Sequence, residues 1–106
     1  MKALYMFINP NVNSAEHRAE IVTPGGKMFV VGVKSAVEGA ILAKQYVKEE
    51  GVNIVELCGG FGYEGGKAVY ESVGDKVPVG IVMHHVWSAT KLTELIKEEC
   101  DDLNKT

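Results

Sequence analysis

Ile54-Val55-Glu56-Leu57-Cys58-Gly59-Gly60-Phe61-Gly62-Tyr63-Glu64-Gly65-Gly66 is an apolar run with one embedded carboxylate, closed by a cysteine and followed by a loop with five glycines in eight residues. Glycine averages about 7% of residues in proteins, so this density signals backbone that needs positive φ or a close approach. A helix-like segment follows at once. Strand, glycine turn and helix in succession are the repeating step of an α/β fold.

Working outward, the same step recurs on both sides. Upstream, Ser35-Ala36-Val37-Glu38 has the form of a capping box, with Val37, Ala40, Ile41, Ala43 and Val47 at helical spacing and Gly51 as a left-handed stop. The spacing predicts a helix over 35–50 and a strand over Val52–Leu57. Downstream, a helix is expected from about Gly65 to Val73, stopped by Gly74. A buried strand over Val77–Met83 follows, in which Pro78 is tolerated because it sits at the start. Ser88 or Thr90 caps a last helix, with Ala89, Leu92, Leu95, Ile96, Glu99 and Leu103 on its more buried side.

Towards the N-terminus, residues 3–8 read as a strand ended by Asn9-Pro10-Asn11, and Asn13-Ser14-Ala15-Glu16 suggests a helical turn near 14–19. Ile21-Val22-Thr23 and Met28–Val33 flank Pro24-Gly25-Gly26 as a hairpin with a longer second arm. From residue 28 the order is βαβαβα, which implies a mainly parallel sheet with right-handed crossovers. Near-continuous apolar strands imply burial on both faces. The expectation is one compact α/β domain over 1–106, flavodoxin-like or half-barrel-like.

The chain has 106 residues, 46% hydrophobic and 24% charged, which suits a globular protein with one core and no staple. Its net charge is −3, with six basic and five acidic side chains in residues 1–53 against five and nine in 54–106. No Lys/Arg cluster appears, so nucleic-acid and membrane-surface roles lack their electrostatic footprint. No apolar run approaches the roughly 20 residues that span a bilayer, and no small-residue cleavage pattern follows Ala3–Ile8. Two distant cysteines, Cys58 and Cys100, make no metal spacing. A cytoplasmic protein with reduced thiols is expected. A small sheet must also cover an edge, and Met- and Phe-containing N-terminal strands suit a subunit contact, so a homo-oligomer is expected.

In open α/β sheets, ligands bind beyond the carboxyl ends of the strands. Those ends are Asn9, Lys34-Ser35, Cys58-Gly59-Gly60 and His84-His85. Gly60-Phe61-Gly62-Tyr63-Glu64-Gly65 also matches G-x-G-x-x-G, whose physical use is to turn backbone N–H groups and a helix N-terminus onto an anion. Chain length, Glu64 and His84-His85 argue against a dinucleotide and leave a small anion such as a phosphate or carboxylate. The candidate ligand-binding residues are Asn9, Lys34, Ser35, Gly59, Gly60, Gly62 and Gly65.

The candidate catalytic residues are Glu56, Cys58 and His84. Glu56 shares a strand face with Ile54 and Cys58, and a carboxylate in such a strand must find a donor or take up a proton, as acid/base groups do. The bland reading is a structural ion pair or hydrogen bond. Cys58 precedes a glycine turn near a helix start, a setting that activates thiols in other proteins, and His84 stands on a neighbouring strand end. Cysteine is equally a common small core residue. Glu56, Cys58 and His84 have acceptable donors for a metal, yet the spacing specifies none. His17 reads as a surface residue. The sequence leaves the cofactor unknown. The leading reading is a binding module or small enzyme for an anionic metabolite. The alternative is a non-catalytic oligomeric module whose glycine loop serves packing.

The chain resembles a family of short prokaryotic proteins of unknown function. The shared segments are Met1–Ile8, Thr23–Gly25, Val30–Val33, the E-L-C-G-G-F-G loop within Gly51–Gly62, and Lys76–Ile81. That resemblance implies the same compact α/β fold and brings no activity and no catalytic residue with it.

Overall fold

Leu4 and Met6 decide where the core lies. They alternate along the first strand, β1 (Lys2–Ile8), and both are fully buried. The computed structural model describes residues 1–105, with side chains described through Cys100. After β1 come β2 (Arg18–Thr23), β3 (Gly26–Val33), α1 (Ala36–Glu50), β4 (Ile54–Leu57), α2 (Gly62–Val73), β5 (Val79–Ile81) and α3 (Ala89–Lys105). Short 3₁₀ turns at Gly59–Phe61 and Val86–Ser88 precede α2 and α3.

The sheet order is β2-β3-β1-β4-β5, with β1, β3, β4 and β5 parallel and β2 antiparallel at the edge. Register sets Leu4 beside Phe29 and Val55, and Met6 beside Val31 and Leu57. With a side-chain period of two, all six project to one face. Ala43 of α1 and Val69 of α2 pack into the same cluster. Fully burying a side chain of this size contributes about 1.5–3 kcal/mol.

The helices form as the sequence specifies. Ser35 caps α1, its Oγ accepting the N–H of Glu38 at 3.1 Å, and Gly51 ends it in the left-handed region at φ 73°. The Glu38 carboxylate accepts the N–H of Lys34 at 2.9 Å, one residue before the position a capping box uses. Helix α2 starts at Gly62, earlier than the expected Gly65, because Gly62 itself makes the turn at φ 64°. The α1–α2 contact is close: a Cβ on Gly65 would stand 3.1 Å from the Ala36 Cβ.

Four expectations change. First, β1 and β3 are joined through the β2 hairpin with no crossover helix, so the helical part of the core packs on a single sheet face. The residues of opposite parity, including Tyr5, Phe7, Val30 and Ile54, are outside the buried cluster. The expected α/β class with a mainly parallel sheet holds, while burial on both faces is replaced by a core on the face that α1 and α2 cover. Second, the helical turn expected near 14–19 is a single short one, in which the Asn13 carbonyl accepts the N–H of Glu16 at 3.0 Å and of His17 at 2.7 Å before β2 begins at Arg18. Asn13 Oδ1 accepts the Ala15 N–H at 2.9 Å, and His17 Nδ1 accepts the Asn13 N–H at 2.8 Å. The Asn13 side chain thus serves as the N-cap of this turn. Third, β5 is only three residues long, since the four-residue β4 offers it no longer partner. Fourth, the apolar side of α3 is largely exposed, Leu95 and Ile96 at 53% each, with Leu92 half-buried. On α1, Val37 and Ile41 are exposed as well. The side chain of Leu103 lies outside the described residues.

Candidate functional site

Because β1, β3, β4 and β5 run parallel, their carboxyl ends share one edge of the sheet. Asn9, Lys34-Ser35, Cys58-Gly59-Gly60 and His84 therefore occupy one rim. Chain direction diverges between β1 and β4, the place where open α/β sheets leave a crevice. Here that crevice is filled. Cys58 Sγ accepts the N–H of Ile8 at 3.3 Å, and a Cβ on Gly60 would stand 2.6 Å from Ile8 Cγ2.

The open space lies one strand further on. A cleft of about 480 Å³ sits beyond β4 and β5, between the Gly59–Phe61 turn, the start of α2 and the inner side of α3. Its lining combines Gly59, Gly60, Gly62 and His84 with Tyr63, Met83 and Ile96, and with Ile81, Val82 and Leu92. That volume falls within the range of small-molecule sites, which are mostly apolar with a few polar groups that fix orientation. The polar groups here are the backbone of the glycine turn and the exposed His84 imidazole. The first N–H groups of a helical turn have no partner inside it, which leaves them free for an anion or water. Among the described residues no acidic side chain lines the cleft.

Of the residues singled out from sequence, Gly59, Gly60, Gly62 and His84 come together there. Gly65 does not: it is buried at the α1–α2 contact. Asn9, Lys34 and Ser35 stay on the rim away from the cleft, with Asn9 Oδ1 accepting the Asn11 N–H at 2.9 Å and Ser35 Oγ committed to the α1 cap. Glu56 points to the face without helices, its carboxylate lying over Gly80, where a Cβ would stand 2.7 Å from Oε2. Cys58 packs partly buried against the core and is not among the lining residues. Thus Glu56, Cys58 and His84 do not share one cavity. Among the described residues no group of three or more His, Cys, Asp or Glu stands close enough to hold a metal.

Sequence reasoning missed the apolar wall, formed by Tyr63, Ile81, Met83, Leu92 and Ile96. The signal was present in α3, whose apolar residues are spaced for one face, but helical spacing alone does not say whether that face closes a core or a cleft.

One family model, that of a family of unknown function (DUF6506), matches residues 1–97. No curated protein and no solved structure matches the chain. No helix among the described residues is long and apolar enough to cross a membrane.

Proposed function

Because the chain belongs to DUF6506, a family of unknown function, its role has to be read from the site, and we propose that it binds a small anionic metabolite with an apolar body. The observation that carries this reading is the 480 Å³ cleft whose apolar wall ends at a glycine turn and a histidine. The apolar part of the ligand lies along Ile81, Met83, Leu92 and Ile96. Its anionic head, a carboxylate or similar group, meets the N–H groups of Gly59 and Gly60 and the imidazole of His84. Among the described residues of the lining, His84 and Tyr63 are the titratable side chains, which supports ligand binding through the turn and His84.

Calorimetric titration with straight-chain monocarboxylates tests the reading. Affinity should rise about fourfold for each methylene added, the equivalent of roughly 0.8 kcal/mol per buried CH₂. Ile96→Glu, an exposed position that the fold tolerates, should abolish binding, and alkylamines of the same length should not bind. Equal affinity for acids and amines, or no heat with any acid, would refute it.

A second reading, in which the glycine loop serves packing, has its own support. Gly65 and Gly66 are buried, and a Cβ on Gly66 would overlap Ile81. The loop thus divides: Gly59, Gly60 and Gly62 border the cleft, while Gly65 and Gly66 let α2 close on α1 and β5.

A further inference from the structure

The sheet face opposite α1 and α2 is reached at its Gly32 end by Val12 of the β1–β2 connection, 3.3 Å from where a Cβ on Gly32 would stand, and the composition of the rest suits an interface. Tyr5 and Phe7 of β1, Met28 and Val30 of β3, and Ile54 of β4 project there, with Ile21 of the edge strand 54% and Met28 39% exposed. Glu56 is its one charged side chain among the paired positions of β1, β4 and β5. Depletion of charge with aromatic and methionine enrichment is the composition of interface centres.

Two glycines level this surface. A Cβ on Gly32 would stand 2.7 Å from the Phe7 ring, and one on Gly80 would stand 2.7 Å from the Glu56 carboxylate, so both side chains lie flat across neighbouring strands. In register, Tyr5 stands directly beside Glu56 on the same face. Among the described residues, neither the Tyr5 hydroxyl nor the Glu56 carboxylate has a hydrogen-bond or ion-pair partner.

We propose that this face is the interface of a homodimer, two copies packing sheet to sheet about a two-fold axis close to the Tyr5–Glu56 pair. An isologous contact is reciprocal. A donor and an acceptor adjacent to the axis can therefore satisfy each other twice, with the hydroxyl of each copy donating to the carboxylate of the other. Area supports the same occupant. At about 4.8 Å between strands and 3.3 Å per residue, the five strands present roughly 450 Å² in plan. Side-chain relief adds to that, and two copies reach the roughly 1,000 Å² at which specific interfaces begin.

Sedimentation velocity of the full chain tests the proposal. The wild type should sediment at twice the 11.5 kDa chain mass. Val30→Lys and Ile54→Lys should sediment as monomers with unchanged circular dichroism, while Ile41→Lys, on the exposed side of α1, should stay dimeric. Tyr5→Phe removes one hydroxyl and keeps the test decisive if a lysine variant fails to fold: its dimer Kd should rise about tenfold or more. A wild type that stays monomeric at about 100 μM would overturn the proposal. So would a Tyr5→Phe dimer of unchanged Kd, or a dimer that dissociates with Leu95→Lys on α3 and not with Val30→Lys.

Discussion

Gly62 and Gly66 stand one turn apart at the start of α2, and they are glycine for different reasons. A Cβ on Gly66 would overlap the Ile81 side chain, whereas one on Gly62 would meet open space but would have to adopt φ 64°, ψ −176°. Gly66→Ala should therefore destabilise by about 1–3 kcal/mol through overpacking. Gly62→Ala should cost a similar 1–3 kcal/mol through backbone strain alone. Urea unfolding measures both. Replacing Ile81 with Val in the Gly66→Ala background separates them, since it should recover stability at Gly66 and do nothing for Gly62→Ala. The sequence announced that this loop needed glycine. It could not assign the reasons, because overlap with Ile81 depends on how α2 meets β5, a contact between residues far apart in the chain. Glu56 taught the converse. Its alternation with Val55 and Leu57 was legible, and so was its face, but the expectation that both faces were buried made an open surface look like an interior.

At the scale of elements, α1 and α3 differ in what holds them. Helix α1 has its Ser35 cap, its Gly51 stop and a buried side through Gly39 and Ala43. Ser35→Ala should cost about 1 kcal/mol in urea unfolding, because the N–H of Glu38 loses its acceptor. Helix α3 rests on the Val86–Ser88 turn and on Leu92 at the cleft, with Leu95 and Ile96 mostly exposed. Helices of this length are marginal without tertiary packing. Its amides should therefore exchange with deuterium at least tenfold faster than those of α1. A ligand in the cleft should slow them. Equal protection of the two helices without ligand would contradict the account of α3. Both helices were legible from capping residues and periodicity, and the Ser35 cap agrees with its expectation. The openness of α3 was not legible, since amphipathic spacing specifies an apolar side and leaves its partner unnamed.

The whole molecule follows from one connection. Joining β1 to β3 through a hairpin places β2 at the edge, and α1 and α2 pack on one face of the sheet, so that face holds the core and the other is only half-buried. Four parallel strands then deliver their ends to a single rim, where Cys58 and Gly60 fill the space beside Ile8 and the cleft opens over β4 and β5. The parallel α/β class and the common rim were readable from strand, turn and helix order. The position of the cleft was not, because it depends on which strand end the glycine turn covers. The central claim is that this cleft receives an anion with an apolar body. Titrating ¹⁵N-labelled protein with hexanoate and following the backbone amides tests it most directly. The account predicts saturable shifts at Gly59, Gly60, Gly62 and His84, with methyl shifts at Ile81 and Ile96 and none at Asn9 or Ser35. Shifts confined to Asn9, Lys34 and Ser35, or none in the glycine turn at saturating hexanoate, would contradict it.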